Sequence, residues 1–370
     1  MPARRDKTPP TPTALGYRMP AEWEPHAATW IAWPHFRGDW PGKFDPIPWV
    51  YAEIIRHLVR SERVELIVND STAEQKARKT LDRASIPLTN LCFHRWTTDR
   101  VWTRDSGCIF LTQRSVGASD SPARAESKTR LLALHFRFNA WAQYPNYAHD
   151  AKLGARMARN AGAKLANPAA GKQRVVLEGG SIDVNGRGLL LTTEECLLSN
   201  VQERNPGFSR PDYEGLFEDS FGVHKVLWMG NGIAGDDTHG HVDDITRFVA
   251  DETILTMVEP NSNDPNHDPL DENLRRLASA TDAAGKKFRI VEIPMPSPVY
   301  FAGRRLPASY ANFYIANEVV LVPVFNDPND RIALNILVDL FPTRDIVPIY
   351  SRDFIWGFGA MHCMTQQQPL

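Results

Sequence analysis

The strongest constraint on the fold is a pattern that keeps returning along the chain: a polar or glycine-containing start, an apolar run, a turn and a second apolar run. It is visible in HAATWIAW (His26 to Trp33), in DSGCIFL with RLLALHF, in EGGSIDVNGRGLLLT, in HVDDITRFVADETILTMV and in YANFYIANEVVLVPVF. The copies share a pattern, not letters. Asn185-Gly186 is a hairpin signal, because a tight loop between strands needs residues that tolerate positive φ. The later copies turn near Asp251 and at Asn317-Glu318. Between them lie PWVYAEIIRHLVR, TAEQKARKTLDRA, AKLGARMARNAG, LDENLRRLASATDAAG and RIALNILVDLF, whose apolar residues recur near the helical period. Strand pairs and helices therefore alternate about every 50–80 residues, which predicts a ring or stack of α/β units.

Asp105, Glu178, His241 with Asp243, and Cys363 all stand at or just before the start of a strand run. If those ends gather around an axis, one cysteine, one histidine and three carboxylates converge, as a catalytic site requires. A thiolate suits attack on an electrophilic carbon, and a thiol needs a histidine or a cation nearby to lose its proton. His241 supplies that partner for Cys363, and Glu178 is the carboxylate that would hold the imidazole. Asp105 and Asp243 then need another task. Carboxylates grip guanidinium groups through paired hydrogen bonds, and the field of a bound cation favours thiolate over thiol. The substrate class so implied is a guanidine. The tail WGFGAMHCMTQQQPL is too apolar to be left in water, so it packs and Cys363 has a fixed address.

The chain has 370 residues, 42% hydrophobic and 23% charged, enough for one large domain or two ordinary ones. A formal net charge of -2 provides no basic field for nucleic acid and no polybasic membrane anchor. No stretch approaches the roughly 18 apolar residues of a membrane helix. Residues 1–16, MPARRDKTPPTPTALG, read as a disordered leader and not as a signal peptide, leaving residues 17–370 as a single catalytic domain. Cys92, Cys108, Cys196 and Cys363 form no Cys-x-x-Cys pair, which speaks against a zinc site or a disulfide framework and suits a reducing cytoplasm. Cys92 and Cys196 read as small buried hydrophobes, and Cys108 is less clear because it lies near Asp105. DDTHGHVDD (Asp236 to Asp244) has metal-ligand residue types, but a solvated acidic loop is the stronger reading. GNGIAG lacks the following helix that a nucleotide motif needs.

GYRMPAEWEPHAATWIAWP, VWTRDSG, LEGGSIDVNGRGLLLTTEECLL, GHVDD, RLPASYANFYIAN and HCMTQQQP resemble the agmatine deiminase family, allied to the bacterial peptidylarginine deiminases. The resemblance runs from about Gly16 to Pro369. It implies an α/β fold, a five-bladed propeller (the pentein fold) with pseudo-fivefold symmetry, and it hints at a homo-oligomer. It also implies hydrolysis of agmatine to N-carbamoylputrescine and ammonia, with no metal or organic cofactor. Residue by residue, it puts the nucleophile at Cys363, its histidine at His241, the orienting glutamate at Glu178 and the guanidinium carboxylates at Asp105 and Asp243. Trp102 would cover the guanidinium or the methylene chain, and Asp236 or Asp237 would receive the distal amine. Phe358 and Met361 depart from the glycine-rich approach usual before the nucleophile and would shape the pocket. The rival substrates are free arginine and peptidylarginine, the first requiring a cation such as Arg104, Arg247, Arg304 or Arg305 for its carboxylate. Rivals of other classes are a non-enzymatic propeller that binds a partner and a metallohydrolase built on Asp236 to Asp244.

Overall fold

The recurring run-turn-run pattern becomes sheet. A computed structural model describes residues 10–113 and 130–370. Among these residues lie five sheets of three or four strands and two short ribbons, in a mixed α/β fold. The first sheet joins Tyr17–Arg18, Ile109–Gln113, Arg130–Leu134 and Lys164–Ala166; the second, Asp183–Val184, Leu189–Thr193 and Lys225–Met229. The third joins Thr246–Ala250, Thr253–Val258 and Arg289–Pro294; the fourth, Tyr314–Ile315, Val319–Val324 and Asp345–Tyr350. The fifth closes from both ends of the chain, with Thr365–Pro369 beside His26–Ala32, then Arg63–Val68 and Leu91–Arg95.

Every sheet contains an antiparallel pair followed by a parallel strand. In the second, Asp183 faces Leu191 across the antiparallel pair, and Leu191 faces Leu227 across the parallel one. A parallel neighbour requires a crossover, normally a helix. The helices Ile47–Leu58, Leu153–Asn160, Arg210–Phe221, His267–Ser279 and Pro328–Leu340 are those crossovers, and Ser71–Arg83 leads to the last strand of the fifth sheet. Five of these six lie where the apolar period predicts them. Arg210–Phe221 does not announce itself, because Gly215 interrupts the run and its buried face consists only of Tyr213, Phe217, Ser220 and Phe221. Its ends are set by capping: Ser209 and Asp212 satisfy each other's backbone amides at the start, and Gly222 takes φ +72° at the end.

The central strand Leu189–Thr193 of the second sheet and the outermost strand Thr365–Pro369 of the fifth are both buried along their whole length. The tail therefore packs as expected, in register with His26–Ala32, where Thr365 faces Ile31. Residues 1–9 lie outside the described residues, but Thr13–Leu15 form a 3-10 turn. Gln113 Nε2 donates to the Leu15 carbonyl at 2.6 Å, and the Thr13 hydroxyl donates to the Glu218 carbonyl. Those two bonds hold a stretch that composition alone marks as loose. Among the described residues no helix is long and apolar enough to cross a membrane.

Candidate active site

Each sheet is entered through a short segment ahead of one strand of its antiparallel pair, and those five segments meet. They carry Asp105 on the helical turn Thr103–Ser106, Glu178 before the turn Gly179–Ser181, His241 and Asp243 around the turn Val242–Asp244, Asn312 before Tyr314–Ile315, and Cys363 before Thr365–Pro369. All are buried; Cys363 and Asp105 are 4% exposed and His241 is 0% exposed. His241 Nδ1 lies 3.9 Å from Asp105 Oδ2 and 4.0 Å from Asp243 Oδ1, and Nε2 lies 4.0 Å from Glu178 Oε2. Cys363 Sγ is 3.7 Å from Asp243 Oδ2. Among the described residues, both ring nitrogens of His241, Glu178 Oε2 and Asp243 Oδ1 have no hydrogen-bond partner. Buried polar atoms are nearly always paired, so a cluster of unpaired ones marks a place built for something else.

The supports of each group explain why it stays there. Asp105 accepts from the Gly180 amide at Oδ1 and from Trp141 Nε1 at Oδ2, both at 2.9 Å. Trp141 reaches it from three consecutive left-handed residues, Ala140, Trp141 and Ala142, at φ +51°, +58° and +54°. Non-glycine residues hold such angles only where the surroundings impose them. Gly180 has no substitute, since a Cβ there would stand 2.5 Å from His241 Nδ1 and 3.0 Å from Asp105 and Asp243 oxygens. Glu178 Oε1 is held by Arg204 Nε at 3.0 Å. His362 bridges Asp243 Oδ2 at 2.6 Å and Glu22 Oε2 at 2.7 Å. Asn312 Nδ2 donates to Cys363 Sγ at 3.1 Å and to Asp244 Oδ1 at 2.9 Å, while its Oδ1 accepts from the amides of His362 and Cys363.

Burial pushes the Cys363 thiol well up, and Asp243, Asp244 and Asp105 push it further, against the Asn312 bond. Burial works to lower His241, but Asp105, Cys196 and Asp243 outweigh it and hold the imidazole well above its usual 6.5. Burial also raises Asp105, opposed by His241. Asp243 is raised by burial yet ends below the carboxylate range, because of the His362 bond and the charges of His362, His241 and Arg247. These directions favour a neutral thiol and a protonated imidazole at rest, with more carboxylates than cations close around them. A cation entering there relieves the acids and lowers the thiol together.

A pocket lined by Trp102, Trp141, Tyr144 and Phe358 gives onto Asp105, Asp237 and Cys363. Gly359 lets Trp102 approach the thiol, for a Cβ there would sit 2.7 Å from the indole and 3.0 Å from Cys363 Cβ. Of the two acids expected for a distal amine, Asp237 lines the pocket, accepting from Gln143 Nε2 at 2.8 Å, Arg304 Nη2 at 2.9 Å and the Tyr144 hydroxyl. Asp236 instead accepts from the amides of Thr238 and Gly240, shaping the loop ahead of His241. Phe358 lines the pocket and Met361 is buried in the core.

Other expectations need correction. His241 and Cys363 are not hydrogen-bonded to each other; Asp243 stands next to both. Glu178 approaches His241 only to 4.0 Å, too far for a bond, because Arg204 holds its other oxygen. Cys92 is exposed, since its strand Leu91–Arg95 is the edge of its sheet. Cys196 is buried, but beside function: its sulfur, one Glu178 oxygen and one His241 nitrogen lie within 4.8 Å of one another. That trio has the residue types of a metal site, yet the Arg204 guanidinium on Glu178 opposes a second cation there. In the acidic loop, His239 meets Ser199 Oγ at 3.0 Å. Arg104 and Arg247 both pair with Glu22, and Arg305 with Asp264. Asn312, Trp141 and His362 were not foreseen. Asn312 had a signal, for it occupies in its unit the place that the other four site segments occupy in theirs.

Anions gathered around a buried thiol suit a cationic carbon, and the class of protein with this fold and chemistry is a hydrolase of amidine C–N bonds. Residues 18–369 match the Porphyromonas-type peptidyl-arginine deiminase family, and the chain belongs to it. It is 32% identical to an agmatine deiminase of Pseudomonas fluorescens, over 97% of each chain. The fold is similar to that of the agmatine deiminase of Enterococcus faecalis, with a TM-score of 0.86, 28% identity and 98% of each chain covered. A Porphyromonas gingivalis protein provisionally described as an arginine deiminase is also similar, with a TM-score of 0.81 and 31% identity over 95% of this chain and 98% of that one.

Proposed function

We propose that this chain hydrolyses agmatine to N-carbamoylputrescine and ammonia through a covalent intermediate on Cys363. The observation that carries this reading is the buried set of Asp105, Asp243, His241 and Glu178 beside the Cys363 thiol, in which both His241 nitrogens and one oxygen each of Asp243 and Glu178 lack a hydrogen-bond partner among the described residues, behind a pocket whose far acid is Asp237. In this reading Asp105 and Asp243 bind the guanidinium, Trp102 lies along it, and Asp237 receives the distal ammonium. The arriving cation favours the Cys363 thiolate, the thiol proton leaving to solvent as the substrate binds, and the sulfur then forms a bond to the guanidinium carbon as one carbon–nitrogen π bond opens. His241, already protonated, gives its proton to the departing nitrogen, so ammonia leaves and a thiouronium remains. Neutral His241 then takes a proton from water as the oxygen bonds to that carbon, and the carbon–sulfur bond breaks to release the ureido product and the thiolate. Glu178 Oε2, 4.0 Å from Nε2, is the carboxylate that faces this side of the imidazole and favours its charged form.

The five sheets, each contributing one segment to the site, support a five-bladed propeller and a single catalytic domain over residues 17–370. All four cysteines are free, in keeping with a reducing cytoplasm. Arginine is the second reading, for which Arg304 beside Asp237 is the cation that would meet the carboxylate. The experiment measures ammonia release by wild type and Cys363→Ser from agmatine, arginine and peptidylarginine separately, in EDTA. Agmatine should be the best substrate, and the serine variant should lose about 10³-fold or more in kcat. A serine variant as fast as the wild type sinks the thiol mechanism; arginine as the best substrate moves the assignment to the second reading.

A further inference from the structure

Asp237 is already occupied by a cation of the protein's own. Arg304 Nη2 lies 2.9 Å from Asp237 Oδ1, and its guanidinium carbon stands 4.0 Å over the Phe358 ring, so it spans two residues of the pocket wall. The two partners differ in how they are held. The Asp237 side chain is 9% exposed and remains bonded to Gln143 and Tyr144 whatever Arg304 does. The Arg304 side chain is 50% exposed. It sits on a two-strand ribbon, Tyr300–Phe301 against Arg304–Arg305, whose turn residues Ala302 and Gly303 have φ +50° and +76°. The ribbon is anchored on either side of Arg304 by Arg305 on Asp264 and by Phe301 against Trp356, so the Arg304 side chain can swing without moving its backbone. Exposed ion pairs contribute little to stability, whereas a buried carboxylate without any cation is costly. Arg304 therefore fits a replaceable counterion better than a structural one.

We propose that Arg304 is a specificity-determining residue that occupies the distal-ammonium position on Asp237 until a substrate cation displaces it. This rests on the agmatine reading above. A substrate with a distal ammonium exchanges one cation for another on the same carboxylate. An alkylguanidine without a distal charge leaves Arg304 where it is and gains nothing from Asp237. Arg304 thereby sets how much the distal charge contributes, and at which chain length, since only an ammonium that reaches Asp237 can evict it.

The test is steady-state kinetics of wild type, Arg304→Ala and Arg304→Lys on agmatine, on arginine and on pentylguanidine, which carries a methyl in place of the ammonium. Arg304→Ala should lower KM for agmatine roughly two- to fivefold, the range of one exposed ion pair. The KM for pentylguanidine should not fall, Arg304→Lys should restore most of the wild-type agmatine value, and in an Asp237→Asn background Arg304→Ala should have no further effect. A purely structural role would move both substrates together and overturns the proposal. An agmatine KM that rises or holds in Arg304→Ala also overturns it, as does a selective loss of arginine turnover, which would make Arg304 a carboxylate receptor. Wild-type ammonia release from agmatine stands apart from these ratios: without it the functional reading falls as well, and with it an unchanged ratio removes only the role of Arg304.

Discussion

At rest Cys363 keeps its proton, because burial and three neighbouring carboxylates all disfavour a thiolate and only the Asn312 bond among its named contacts favours one. Asn312 also fixes the backbone on both sides of the peptide before the thiol. Its expected role is positioning, and Asn312→Ala tests it. The apparent pKa of Cys363 alkylation by iodoacetamide should rise, and kcat should fall by about 10–100-fold, the usual scale for a residue that orients a reacting group. An alkylation profile superimposable on the wild type would falsify the role, whatever the loss of activity. Cys363, His241, Glu178, Asp105 and Asp243 could be read from letters because each stands beside a turn signal or in a distinctive motif. Trp141 could not, since tryptophan has many ordinary uses and only its contact with Asp105 gives it this one, while Asn312 offered no more than its place at the start of its unit.

Among the elements, the closing strand Thr365–Pro369 has the largest effect on the site. It pairs with His26–Ala32 and thereby fixes Cys363 two residues upstream. A chain ending at Met364 keeps the cysteine but exposes the edge of the fifth sheet and leaves a row of buried ladder groups unpaired, each costing on the order of 1–3 kcal/mol. It should melt well below the full chain, lose turnover, and alkylate like an unstructured thiol. A truncated chain with an unchanged melting curve would show the strand to be dispensable. Element type was readable wherever the period was regular, as in Ile47–Leu58 and Val319–Val324. Arg210–Phe221 escaped notice because its helix is specified by its caps and by tertiary packing, not by a long apolar stripe.

Across the whole molecule, one buried charge network ties the units together. Glu22 meets Arg247 at 3.0 Å, Arg104 at 3.2 Å and His362 at 2.7 Å, and Arg247 goes on to Asp183. These residues come from near the chain start and from segments of four sheets. Burial pushes the Glu22 carboxyl up, but Arg247, His362 and Arg104 prevail and hold it well below its usual 4.5. Removing one partner of such a set strands the others, so Glu22→Gln should lose about 3–5 kcal/mol in urea unfolding near neutral pH. The sign with pH follows from the lowered value: the contribution is full above the unfolded-state 4.5 and fades as pH falls through the folded-state value, so wild type and variant should converge in acid. A gap that widens on acidification contradicts the network.

Sequence by itself determined the alternation of strand pairs and helices, the chemistry offered at the unit starts and the sealing of the tail, because periodicity, turn residues and side-chain type are local properties. It also carried the family resemblance. Only the tertiary structure decided which groups share a space: that Asp243 stands between thiol and imidazole, that Glu178 is claimed by Arg204, that Cys196 adjoins His241, and that Arg304 sits on Asp237. Those facts depend on distances of a few ångströms between segments far apart in the chain. No local pattern encodes them, because each follows from how five separately specified sheets pack against one another.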